Sequence, residues 1–102
     1  MSVTYADEVF EELVEMSAYL AELDEPLAQR FLDACDETFQ LLASNPMLGS
    51  PNKFSNPRLA KLRMWRVKRF TKYLIFYEPT ESGVKIYHVV HSATDYTRSF
   101  DE

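Results

Sequence analysis

At 102 residues, 46% hydrophobic and 14% aromatic, the chain has the size and apolar content of one domain with one real core. Two glycines and five prolines argue against a disordered or low-complexity chain. The net charge of −5 hides a division: residues 1–50 carry eleven acids against one base, Arg30, whereas residues 51–102 carry ten bases against five acids, an asymmetry that speaks about partners and makes indiscriminate coating of DNA a poor expectation.

The amino-terminal "MSVTYADEVFEELVE" has no basic n-region and no apolar h-region, so no signal peptide is expected. No apolar run approaches the roughly 20 residues that span a bilayer. Cys35 is the one cysteine, so no intrachain disulfide forms, and its setting in "RFLDACDETFQLL" reads as a core thiol. A cytoplasmic location is the expectation, with no membrane partner.

In chain order, "SVTY" at 2–5 predicts a short strand. Apolar residues at Val9, Leu13, Met16, Leu20 and Leu23, widened by Phe10, Val14 and Ser17, have helical spacing over about 6–23. Asp7 and Glu8 suit the positive end of that helix dipole. At "LDEP", Asp24 or Glu25 can cap a second helix with Pro26 in its first turn. Ala28, Phe31, Leu32, Cys35, Phe39 and Leu42 give its buried face to about Ser44, and "SNPMLGSPNKFSNP" ends it in a loop. The period then changes from 3.6 to 2. Leu62–Val67, Lys72–Tyr77 and Val84–His91 predict strands, with "PTESG" as a hairpin turn.

These elements predict one α+β domain over residues 1–102, an antiparallel helical hairpin packed on one face of a three- to four-stranded antiparallel sheet. Strand alternation then assigns Leu62, Met64, Leu74, Phe76, Val84, Ile86 and Val90 to the face under the helices. Arg63, Trp65, Val67, Tyr73, Ile75, Tyr77, Lys85, Tyr87, Val89 and His91 fall on the opposite, aromatic and basic face, which has the composition of a binding face. A single bulge would scramble that register.

Few residues invite catalytic readings. His88 and His91 are three apart on a strand and point to opposite faces, so no metal site and no cofactor is expected. His88 reads as a structural histidine, whereas His91, beside Ser92, Thr94 and Asp95, is a candidate site residue. The many helical acids read as a solvated surface. No G-x-S-x-G elbow, phosphate-binding glycine loop or H-E-x-x-H occurs, and adjacent Ser92, His91 and Asp95 cannot hold triad geometry.

"LRMWRVKRFTKYLIFYEP" at 62–79 is the most informative stretch. It places Arg63, Arg66, Lys68, Arg69 and Lys72 before its first acid, Glu78, among Trp65, Phe70, Tyr73, Phe76 and Tyr77. Outward cations can simply keep a strand edge soluble. The arginine density suits bidentate pairing with carboxylate or phosphate, and Trp beside Arg recurs at interaction hot spots.

Taken together, "LAxxPxLGxP" at Leu42–Pro51, Leu62-Arg63 followed by Trp65 and Val67, "YLIFY" at Tyr73–Tyr77 and "VxH" at Val89–His91 resemble the ParE branch of the RelE/ParE toxin superfamily, from about Tyr5 to Tyr96. The resemblance implies a toxin of a type II toxin–antitoxin module, associated with plasmid stabilization and growth arrest. It implies a cognate ParD-like antitoxin, ribbon-helix-helix with a carboxy-terminal segment that wraps the toxin, and DNA gyrase as target. RelE-like relatives instead cut mRNA in the ribosomal A site. They carry an arginine in the strand that here reads "YLIFY" and another directly after the last strand, where this chain has Ser92. Cleavage by 2′-OH attack needs cations for the charge building on phosphate and a base for the proton. Three readings stay open: a non-enzymatic gyrase inhibitor, a ribosome-dependent mRNA interferase, and a member with another target or no activity. Direct nucleic-acid binding is not expected to dominate. The expected partner-binding set is Arg63, Arg66, Arg69 and Lys72 against carboxylates, Trp65 and Tyr77 as apolar anchors, with His91 and Tyr96, and no catalytic residue.

Overall fold

The computed structural model describes residues 2–51 and 61–93. After strand β1 (Ser2–Tyr5), Asp7 and Glu8 stand in the first turn of helix α1 (Asp7–Leu23), where carboxylates oppose the exposed N–H groups. Asp24 ends α1 by donating its N–H to the Leu20 carbonyl, and its extended backbone also begins helix α2 (Glu25–Ser44), with Pro26 in the first turn. A one-residue link forces the two helices into a hairpin. Asn45 closes α2: its backbone N–H reaches the Leu41 and Leu42 carbonyls, and its side-chain amide reaches Leu41 at 3.1 Å.

The two helices are buried unequally. α2 buries Phe31, Cys35, Thr38, Phe39 and Leu42 among others, whereas α1 buries only Val9 and Leu20 fully. Phe10, Val14 and Leu23, which the sequence assigns to the core stripe of α1, are more than half exposed. α1 lies at the edge of the domain against α2 and β5, so its contact stripe is narrower than its apolar stripe.

The sheet has five strands, not three or four, in the order β1-β5-β4-β3-β2, with β2 (Ser50–Pro51), β3 (Arg63–Val67), β4 (Phe70–Thr80) and β5 (Gly83–His91). It is mixed rather than antiparallel. β1 runs parallel to β5, from Ser2 opposite Gly83 to Tyr5 opposite Ile86, and the other neighbours are antiparallel. Glu81 and Ser82 make the two-residue turn between β4 and β5, where "PTESG" predicts it. A Cβ at Gly83 would overlap the Ser2 carbonyl, so glycine is what lets β1 lie so close.

The face assignment from alternation is reversed in β3, in β4 and in β5 beyond Tyr87, where Val89 and His91 lie on the helix side and Val90 on the other. Val67, Tyr73, Ile75 and Tyr77 pack beneath the helices with Val84, Ile86 and Val89, and Trp65 leans on the same cluster. Leu62, Leu74, Phe76 and Val90 form a second cluster on the other face, joined by Met64 and Tyr87. The cause is the register shift between Phe76 and Tyr77 against β5, where His88 faces Phe76 but Ile86 faces Tyr77. The extra residue, Tyr87, changes the phase of β5, so Ile86 shares a face with Tyr77 and Val90 shares one with Leu74. Both faces of the sheet are therefore apolar, and neither is an open aromatic and basic surface.

Candidate functional site

The loop that leaves α2 is held to the sheet by two residues expected to face a partner. Tyr77, fully buried on β4, accepts a hydrogen bond from the Gly49 amide at 2.7 Å and donates one to the Pro46 carbonyl at 2.8 Å. Arg63, half-buried on β3, donates to the Gly49 carbonyl and, at 3.4 Å, to the Met47 carbonyl. Burial raises the Tyr77 phenol above its ordinary value of 10.0, outweighing the Gly49 hydrogen bond and the Arg63 charge, which both lower it. The two side chains act as an internal latch on "PMLG" at 46–49. Trp65 joins them on this side of the sheet, half-buried against the helix-facing core.

The remaining cations gather around the turn between β3 and β4. Lys68 and Arg69 form it, with Val67 opposite Phe70 and Arg69 in the left-handed region at φ 67°. Thr38 of α2, 1% exposed, positions the turn: its hydroxyl accepts from the Lys68 amide at 3.0 Å and donates to the Ala34 carbonyl at 2.6 Å. Arg69 pairs with Glu37 at 2.9 Å, and both side chains are largely exposed, so the pair contributes little beyond orientation. Arg66, Lys68 and Lys72 are exposed. Arg66 sits opposite Leu74 and so projects on the face away from the helices.

The histidines are set apart. Glu12 of α1 holds β5 with both oxygens: Oε2 lies 2.9 Å from His88 Nδ1, and Oε1 accepts the Val89 amide at 2.9 Å. His88 is thus a structural residue, as its sequence position implies. His91 stands edge-on to Tyr73, centroids 4.9 Å apart at 87°, and its Nδ1 accepts the Ala93 amide. Tyr96 lies outside the described residues. The expected set is therefore dispersed: Arg63, Trp65 and Tyr77 on the loop side, Arg66, Arg69 and Lys72 around the turn, His91 beyond. Three residues that organise these places escaped the sequence reading. Gly49 has a signal in hindsight, as one of two glycines in the chain. Glu12 and Thr38 have none, being one acid among many and a helical threonine.

Burial pushes the Cys35 thiol up to about 12, so it is a core group and not a nucleophile. Among the described residues no group of three or more His, Cys, Asp and Glu side chains gathers as a metal site. No described helix is long and apolar enough to cross a membrane.

What fold and site define is a small α+β protein: a helical hairpin on a mixed five-stranded sheet, with Arg66, Lys68, Arg69 and Lys72 exposed around one hairpin turn. The family model of the ParE toxin of type II toxin–antitoxin systems, parDE, matches residues 3–96, and the chain belongs to that family. It is a toxin of the type II kind, and a cognate antitoxin is its implied partner. The comparison with curated proteins finds no match.

Proposed function

We propose that this toxin inhibits DNA gyrase by binding it, without covalent chemistry of its own, and that a ParD-like antitoxin neutralises it in the cytoplasm. The observation that carries the reading is the character of the sheet face away from the helices. Where an RNA-cleaving site needs cations and a base, that face of β4 and β5 carries the buried apolar side chains of Leu74, Phe76 and Val90, and Ser92 follows the last strand. Arg66 and Lys72 flank that apolar cluster as exposed residues, a pattern that suits docking to carboxylates better than in-line attack on phosphate.

The antitoxin is assigned to the exposed cations Arg66, Arg69 and Lys72. Trp65 and His91 lie on the helix-facing side of the sheet, apart from that surface, and Arg63 and Tyr77 act through the loop they hold. Induced expression without antitoxin tests the target. Filamentation with a DNA-damage response is the expected outcome, and rapid translation arrest with mRNA ends mapped to the ribosomal A site would replace this reading with the nuclease one. Charge reversal at Arg66 and Lys72 is expected to weaken antitoxin binding, and unchanged affinity would move the docking surface elsewhere.

A further inference from the structure

An open cleft of about 520 Å³ lies between α1 and the end of the sheet, lined by Glu12, Glu15, Tyr19, Tyr73 and His91 with Met16 and the Val89–Val90 backbone region. Its helical wall comes from the acidic half of the chain and its strand wall from the basic half. α1 carries six acids and no base, and no described Lys or Arg lines the cleft. Its walls are aromatic: Tyr73 packs on Phe31 at 4.7 Å and edge-on against His91, with Tyr19 across from it. Glu12 is immobilised by His88 and the Val89 amide, whereas Glu15, one turn away, is exposed and has no partner among the described residues. Tyr73 lines the cleft, and its hydroxyl makes no hydrogen bond with any described residue.

We propose that this cleft receives the side chain of an arginine presented by a partner protein. Carboxylate and aromatic faces together select an organic cation, because ring quadrupole and carboxylate both attract positive charge. A planar guanidinium supplies several donors at once, which matches the Glu15 carboxylate and the Tyr73 oxygen, while its methylene stem lies along Met16 and Tyr19. Delivery on a chain suits the site because the cleft is open and lies where β5 passes beyond its β1 partner, whose pairing ends at Ile86. The inference stands whichever target the toxin has.

The test is titration of the purified full chain with N-acetyl-arginine methylamide, followed by NMR of the Tyr19, Tyr73 and His91 ring resonances. These resonances are expected to shift, with binding weakened about fivefold or more when the isosteric but neutral N-acetyl-citrulline methylamide is used, since one lost charge-assisted contact is of that order. Glu15→Gln, at an exposed position that leaves folding intact, and Tyr73→Phe, which keeps the ring packing, are each expected to reduce affinity for the arginine probe. Equal binding of the citrulline probe, or shifts unaffected by both variants, overturns the proposal. Tighter binding of free arginine than of the capped probe overturns the chain-borne source in favour of a small metabolite.

Discussion

The Tyr77 hydroxyl and the Gly49 amide are 2.7 Å apart, and a Cβ added at Gly49 would lie 2.6 Å from that same oxygen. The contact is therefore possible only with glycine at 49 and a phenol at 77. Tyr77→Phe leaves the buried Gly49 N–H without its acceptor and removes the donor to Pro46, which costs about 1–3 kcal/mol per unsatisfied group. Gly49→Ala is expected to cost at least as much, because the tyrosine or the Met64 backbone must move. Urea denaturation of both variants checks this; wild-type midpoints would show the latch to be dispensable.

Arg63 and Arg66 are separated by the same logic. Arg63 is tied to the Gly49 and Met47 carbonyls, while Arg66 is exposed. Arg63→Ala is expected to lower the thermal midpoint, and Arg66→Ala to leave it within the roughly ±0.5 kcal/mol usual for surface changes. Equal midpoints would return Arg63 to the class of purely external residues. For antitoxin binding, the Arg66 variant is the cleaner probe, since its effect is not mixed with loss of the loop.

Much of the fold was legible because it is written in local periodicity. The helix spacing from Val9 to Leu20, the "LDEP" break and the "PTESG" turn each depend on neighbours in sequence, and each appears within a residue or two of its expected place. The faces of the sheet were not legible, because both carry large apolar residues and a one-residue bulge at Tyr87 decides which set meets the helices. The candidate site suffered from the same ambiguity. Arginine and tyrosine look like partner-binding residues in a strand, but Arg63 and Tyr77 find their acceptors in a loop some 14 to 31 residues earlier. A sequence pattern does not reveal such long-range contacts. The "LAxxPxLGxP" motif is conspicuous in the sequence, and its fixed Pro and Gly are the partners of those two side chains.

Thr38 joins α2 to the basic turn through one oxygen. Thr38→Val keeps shape but deletes the acceptor for the Lys68 amide, and Thr38→Ser keeps it. The valine variant is expected to lose about 1–2 kcal/mol and the serine variant less. Amide hydrogen exchange at Lys68 is the direct readout: faster exchange in Thr38→Val alone confirms the bond, and identical exchange in both variants denies it.

Arg69 holds φ 67° at the turn, where a residue with a Cβ is disfavoured by about 1 kcal/mol relative to glycine. Arg69→Ala and Arg69→Gly both delete the Glu37 pair, so comparing them isolates the backbone term. The glycine variant is expected to be the more stable of the two by roughly 0.5–1 kcal/mol. An alanine variant that is equal or better would mean the turn relaxes out of the left-handed region once the arginine is gone.

Cys35 gives the alkaline limit of the fold. Its thiol is raised by burial from 9.0 to about 12, so the folded protein holds it protonated at pH values where the unfolded chain releases it. Stability from that difference is fully present below about pH 9 and is lost as pH rises through about 12. Tyr5, Tyr73 and Tyr77 are raised by burial in the same direction and add to the loss. Urea midpoints are therefore expected to fall between pH 8 and pH 11 in the wild type. In Cys35→Ala they should fall less steeply, from a lower starting value set by the small cavity. The same burial predicts that a thiol reagent labels Cys35 only as fast as the protein opens. Rapid labelling of the native protein at pH 8, or an alkaline slope unchanged in the alanine variant, would show that the thiol reaches solvent in the folded state.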